Sequence, residues 1–151
     1  MHIRPYSGKD WERVCQIHDA ARKDELASAG LAAAFLTLEH TAENEGFHDY
    51  TLRVAQIEDR VVGFVGFTKE ELAWLYVDPA EHGKGAGTAL IQAVLTETRS
   101  PMRAEVLKGN DAALSVYRKA GFQIAGTEHG VMPGNESFHV SVTVLQHPGA
   151  A

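Results

Sequence analysis

Seven consecutive residues, His82-Gly83-Lys84-Gly85-Ala86-Gly87-Thr88, have the composition of an anion cradle. Gly83, Gly85 and Gly87 carry no β-carbon to hold a phosphate away from the backbone. The stretch opens into an amphipathic pattern whose first-turn N–H groups lack intrahelical partners. Those donors and the positive end of the helix dipole favour a diphosphate, and Lys84, inside the loop, is the basic residue placed to meet its charge. Spacing excludes the two common nucleotide motifs. The third glycine of G-x-G-x-x-G falls on Thr88, and a P-loop needs Ser or Thr where Gly85 follows Gly83-Lys84. A second candidate for chemistry is Glu105, set in the apolar run Met102 to Leu107. An unpaired carboxylate buried there would have its pKa raised toward the range of a useful base.

The loop resembles the Q/R-x-x-G-x-G/A signature of the GCN5-related N-acetyltransferases, with Gly85 and Gly87 in the two glycine positions and His82 in place of the usual Gln or Arg. The segment EVLKGNDAALSVYRKAGF, from Glu105 to Phe122, resembles that family's second signature, with Asn110, Ala113, Tyr117, Gly121 and Phe122 at N-x-x-A-x-x-x-Y-x-x-x-G-F spacing. Asn110 can cap a helix and Gly121 can end one, so local chemistry supports a helix between them. The resemblance implies a mixed α/β fold. Its central, mostly antiparallel sheet has six to seven strands and about four flanking helices, and two parallel central strands, here Glu71 to Val77 and Met102 to Leu107, splay apart.

The activity implied is transfer of the acetyl group of acetyl-CoA to a primary amine of a small molecule or peptide, by direct attack in a ternary complex. In that reading His82, Gly83, Lys84, Gly85, Ala86, Gly87 and Thr88 hold the diphosphate. The backbone of Leu75, Tyr76 and Val77 meets the pantetheine and the acetyl carbonyl, and Asn110 and Tyr117 complete the cofactor site. A lysine-type amine is almost wholly protonated at neutral pH, its pKa being about 10.4, so a base is needed. Glu71 and Glu105 match base positions of two branches of the family, and a water relay is the third option. The departing thiolate, of pKa about 8.5, needs a proton, for which Tyr117 matches the family's general acid. The resemblance also places the acceptor between Asp24 to Leu31 and the segment His129 to Glu136, read as an irregular loop, where Asp24, Glu25 and Glu136 could attract a cation. Two other classes stay open: a non-catalytic acyl-CoA-binding sensor using the same cleft, and an unrelated phosphate-binding domain.

The elements that must position these residues follow from periodicity. A short strand at His2 to Pro5 precedes a helix beginning at Ser7-Gly8-Lys9-Asp10, with Val14, Ile17 and Ala21 on one face. The apolar spacing of Leu31, Phe35 and Leu38 predicts a second helix from Leu31 to Glu43. Thr51 to Ile57 and Val61 to Thr68 read as a hairpin around Glu58-Asp59-Arg60. Helices are expected from Gly85 to Arg99 and from Asp111 to Ala120, closing strands near Gln123 to Glu128 and Ser137 to Leu145, and a frayed end from Pro148 to Ala151.

With 151 residues, the chain has the length of one domain, expected over residues 1 to 147. Its 44% hydrophobic and 23% charged content is that of a water-soluble protein, and no apolar run approaches the roughly 20 residues that span a bilayer. The start MHIRPYSGKD lacks the apolar core of a signal peptide, so a cytoplasmic protein is expected. A net charge of −6 argues against nucleic acid as partner and mildly favours a cationic acceptor. The eight histidines lack metal-ligand spacing, no metal is expected, and Cys15 reads as a small core residue. Exposed sheet edges are compatible with a homodimer.

Overall fold

The β-rich segments flanking Glu58-Asp59 pair as expected in the computed structural model, which describes residues 1–149. Thr51–Ile57 (β2) and Arg60–Phe67 (β3) are antiparallel, and β3 pairs in turn with Glu71–Val77 (β4). With His2–Pro5 (β1), Met102–Leu107 (β5), Gln123–Met132 (β6) and Asn135–His147 (β7), they form one seven-stranded sheet in the order β1-β2-β3-β4-β5-β7-β6. Among the described residues only β4 and β5 pair in parallel. The helices are Trp11–Ser28 (α1), Leu38–Thr41 (α2), Ala86–Thr98 (α3) and Asp111–Lys119 (α4).

Two cores follow from this layering. On one face Leu90, Ile91 and Val94 of α3 and Tyr117 of α4 pack on Val65, Leu72, Ala104 and Leu145. On the other, Val14 and Ile17 of α1 pack on Phe47, Phe64 and Trp74. β3 is buried on nearly its whole length, and its glycines are places of close approach. A β-carbon on Gly66 would lie 2.9 Å from Trp74 Cδ1 and 3.0 Å from Leu52 Cδ2. We expect Gly66→Ala to lower stability by about 1–3 kcal/mol through overpacking, read as a shifted urea midpoint with unchanged m-value.

The same region sets the geometry of the centre. Gly66 pairs with Trp74 but Phe67 pairs with Leu72, which leaves Ala73 as the extra residue of a β-bulge. The bulge turns Leu72 toward the α3 core and Trp74 toward the α1 core, although the two are only two residues apart. It also re-aims the rest of β4. Pairing with β5 is confined to Glu71 with Arg103 and Leu72 with Ala104, while β5 stays paired to β7 as far as Leu107. Past Leu72 the two parallel strands therefore diverge.

Two sequence expectations are corrected. Leu31 to Glu43 is not one helix: a 3₁₀ turn at Ala32–Ala34 is followed by extended Phe35, and Thr37 starts the four-residue α2 by accepting the His40 N–H at 3.2 Å. The cause is that Leu31 and Phe35 join a cluster with Leu26 and Met132, whereas Leu38 enters the α1 core, and one straight helix cannot serve both. Nor is His129 to Glu136 an irregular loop. β6 and β7 continue through it, and the reversal is two residues, Pro133 and Gly134, the latter at φ 75°. Of the end expected to fray, Pro148 to Ala151, the Gly149 N–H donates to His147 Nδ1 at 2.9 Å, and Ala150 and Ala151 lie outside the described residues.

Candidate active site

Register decides which backbone groups the diverging strands expose. Asp78 N–H donates to the Val62 carbonyl at 2.8 Å, and with Gly63 opposite Val77 this makes Tyr76 and Phe64 the next hydrogen-bonded pair. The N–H and C=O groups of Leu75 and Val77 therefore point away from β3, into the fork. Of the three backbone segments expected to meet the pantetheine, that of Tyr76 is engaged with β3. Its side chain turns to the α1 side of the sheet, where the hydroxyl donates to Glu25.

β4 ends at Val77, and the carboxylate of Asp78, the next residue, accepts the Ala80 N–H at 3.0 Å and fixes the turn that delivers the glycine loop. Gly83 and Gly85 take φ 83° and 84°, a left-handed region that favours glycine, and Gly85 is the N-cap of α3. A β-carbon on either would meet nothing within 4 Å. Glycine is thus required there by conformation, and the space in front of the loop is open. The N–H groups from Gly83 to Thr88 find no acceptor among the described residues. His82 to Gly85 are exposed and Ala86 is buried under the helix start. Lys84 is not a free cation: its ammonium pairs with Glu81, which also meets Arg60 at 3.6 Å. A diphosphate would compete for Lys84 with that carboxylate.

Across the fork, Asn110 caps α4 by accepting the Ala113 N–H at 3.3 Å. Tyr117 is buried, its ring edge-on to Phe122 with centroids 5.2 Å apart. Burial first, and the charge of Glu25 second, push its phenol well above the usual tyrosine range.

The two carboxylates expected as bases stand differently. Glu105 is not buried. It sits on the solvent-facing side of β5 with 44% of its side chain exposed, paired with Arg103, which also holds Glu128 at 2.9 Å. The alternation of the strand, which buries Ala104 and Val106, turns Glu105 outward, so the argument from desolvation fails. It nevertheless lines the cavity described next. Glu71 lies where β4 and β5 are still paired and accepts a hydrogen bond from Tyr50 at 3.2 Å.

A cavity of about 390 Å³ opens on the α1 side of the fork. Its polar lining includes His18, Arg22, Glu25, Glu45, Glu105 and Glu128, and its apolar lining includes Leu36, Trp74 and Met132. Sequence reasoning missed His18, Arg22 and Glu45, and it named Glu25 only beside Asp24 and Glu136, which are exposed and take no part. A signal existed. His18, Arg22 and Glu25 stand at i, i+4 and i+7 and continue the inward stripe begun by Val14, so polar residues face the interior. His18 Nδ1 lies 2.9 Å from Asp19, and burial holds its imidazole below the ordinary range, hence neutral at pH 7.

This fold has counterparts among known proteins. The model of the Acetyltransferase (GNAT) family matches residues 10–122. The chain belongs to that family. Among relatives of this GNAT chain, the peptidyl-lysine N-acetyltransferase YjaB of Salmonella typhimurium is 33% identical over 69 residues, 46% of this chain and 47% of the relative. The N-alpha-acetyltransferase RimI of Mycobacterium tuberculosis is 36% identical over 75 residues, 44% of this chain and 48% of the relative. The chain thus spans about half the length of the curated relatives it matches. The solved structures share the fold throughout. A GCN5-related N-acetyltransferase from Rhodopseudomonas palustris superposes with TM-score 0.79 at 19% identity, covering 97% of this chain and 94% of that one. The yncA acetyltransferase from Salmonella typhimurium, solved with acetyl-CoA, does so with TM-score 0.70 at 21% identity, covering 98% and 93%. No helix among the described residues is long and apolar enough to cross a membrane.

Proposed function

We propose that this GNAT chain moves the acetyl group of acetyl-CoA to a primary amine of a small molecule or peptide. The observation that carries the reading is the β4/β5 fork, with the free backbone groups of Leu75 and Val77 inside it and unpartnered loop amides at its mouth. Those amides, from Gly83 to Thr88, fit a diphosphate. The edge of β4 fits the amides of pantetheine as it would fit an added strand. The Val77 N–H is the donor best placed for an oxyanion.

On this reading the acceptor enters from the cavity on the α1 side and the coenzyme from the α3 side. Glu105 lines that cavity and Glu71 does not, so of the two carboxylates Glu105 is the base, with water carrying the proton over any remaining distance. Tyr117 protonates the leaving sulfur. The named activities of the relatives, on peptidyl-lysine and on α-amines, support an amine acceptor. A second copy of the chain would add at β6, an edge strand exposed from Gln123 to Val131 that carries exposed Ile124 and Val131.

Thermal unfolding with acetyl-CoA, ATP and NAD side by side tests the reading. At about 100-fold over its Kd, acetyl-CoA should add roughly 2.7 kcal/mol, a rise of about 5–10 °C for a chain of this size. Stabilisation by ATP alone would reject the proposal. Stabilisation by acetyl-CoA without thiol release in any amine mixture would turn it to the sensor reading.

A further inference from the structure

We infer that Glu25 seats the ammonium of the acceptor in the fork. The inference rests on the acetyltransferase reading for the nature of the acceptor, and on the following geometry for the residue.

Glu25 leaves α1 near its C-terminus, and its carboxylate lies between the two diverging strands. From the β4 side, the Tyr76 hydroxyl donates to Oε1 at 3.3 Å. From the β5 side, Asn110 Nδ2 donates to Oε2 at 3.2 Å. Arg22, one turn back on the same helix, also donates to Oε1. The carboxylate therefore lies across the mouth of the gap, at the wall between the acceptor cavity and the residues assigned to the coenzyme. It is not a solvated surface charge, since only 18% of the side chain is exposed.

Acceptor capacity fixes what it can still do. An ionised carboxylate offers about four lone-pair positions. Tyr76, Arg22 and Asn110 take three, two of them on Oε1. The open position is on Oε2, the oxygen shared with Asn110 next to the fork. An N–H of an incoming ammonium fits it, and a hydroxyl or amide dipole would be held less strongly than a cation. The surroundings agree. Glu45, Glu105 and Glu128 line the same cavity, and with Arg22 paired to Glu25 and Arg103 to both Glu105 and Glu128, four carboxylates face two guanidiniums. Glu25 also lies close enough to Tyr76 and Tyr117 for its charge to push both phenols upward, which places the seat beside the proposed general acid.

This makes Glu25 an acceptor-binding residue, distinct from the base. Held by three donors, it orients the ammonium, and the nitrogen loses its proton to Glu105 or to water before attack. The C–N bond then forms, the C–S bond breaks, and the second nitrogen proton replaces the one that Tyr117 gives to the thiolate.

The test uses n-butylammonium as probe and does not need turnover. Titrated into the protein without coenzyme, it should shift the NMR signals of Glu25, Tyr76 and Asn110 with saturation, and Glu25→Gln should weaken that binding by about 100-fold. The variant should keep the wild-type affinity for acetyl-CoA. No saturable shift at these residues, or equal affinity in Glu25→Gln, overturns the inference. In whichever amines the enzyme acetylates, the KM of an alkylammonium should rise in Glu25→Gln while that of an arylamine, neutral at pH 7, stays within about 3-fold. Equal losses for both would mean a structural role and would also overturn it. If Glu25→Gln does not fold, Glu25→Asp, which keeps the charge but withdraws it by one methylene, should bind the probe about 10-fold more weakly, and undiminished affinity would refute the seat. Failure of acetyl-CoA to stabilise the wild type would reject the acetyltransferase reading and leave the butylammonium result standing.

Discussion

Gly85→Val is expected to abolish measurable acetyl-CoA binding while leaving the sheet intact. Gly85 holds φ 84° as the N-cap of α3, and its missing β-carbon faces open space. A β-branched residue there is strained by its backbone alone, at about 1–2 kcal/mol, which a domain of ordinary stability tolerates. The effect on binding is much larger. Valine methyl groups would occupy the volume in front of the loop, and relief of the strain would turn the first-turn amides away from a common centre. Losing two hydrogen bonds to a charged group, at about 1.5–3 kcal/mol each, corresponds to at least a 100-fold loss in affinity. Calorimetric titration of acetyl-CoA measures this, and a Tm within several degrees of wild type shows that the fold survived. Unchanged affinity would mean that the diphosphate binds elsewhere.

The loop was legible in sequence because its requirements are local. Backbone conformation and the absence of side chains dictate Gly83 and Gly85, and both leave a mark on the residues themselves. The cap and stop of α4, Asn110 and Gly121, were legible for the same reason. The fork was not directly legible. It depends on one bulged residue, Ala73, whose alanine gives no sign of the mispairing between Gly66–Trp74 and Phe67–Leu72. Resemblance supplied it where pattern could not.

Glu105 and Glu25 show the converse error. A glutamate in a β-rich apolar run was read as buried, yet strand alternation turns it outward onto Arg103. A glutamate near the end of a long helix was set beside Asp24 and Glu136 as one of three acids that could attract a cation, yet of the three the helix delivers only Glu25 between Tyr76 and Asn110. Charge and neighbours in sequence cannot separate these cases. The period of the element can: residue 105 falls on the outward alternation of its strand, and residue 25 on the inward stripe of its helix. The broken segment from Leu31 to Leu38 failed for a third reason, that its apolar residues serve two different places, the α1 core and the separate cluster around Leu26 and Met132.

Tyr117→Phe should lower kcat by about 10²–10³-fold and leave the affinity for acetyl-CoA unchanged. The ring's contact with Phe122 is kept, so stability should stay within about 1 kcal/mol, and a fall in kcat cannot then be a folding effect. The pH dependence has a definite sign. An acid must be protonated to act, and a pKa raised above the usual tyrosine value keeps it so throughout the neutral and mildly alkaline range. The wild-type profile of kcat should therefore show no alkaline fall up to about pH 10, and its acidic limb should belong to the base. A raised pKa also makes the free phenol a reluctant donor to a thiolate of pKa about 8.5. Part of the rise comes from the charge of Glu25, and an ammonium seated against that carboxylate would cancel it. Tyr117 is then a better acid with the acceptor in place than without it, while burial, the larger cause, holds its pKa up in both states. In Glu25→Gln, where the charge is gone at all times, hydrolysis of acetyl-CoA without acceptor should rise relative to wild type. Thiol release in amine-free buffer measures it, and an unchanged or lower rate would sever the coupling between the two residues.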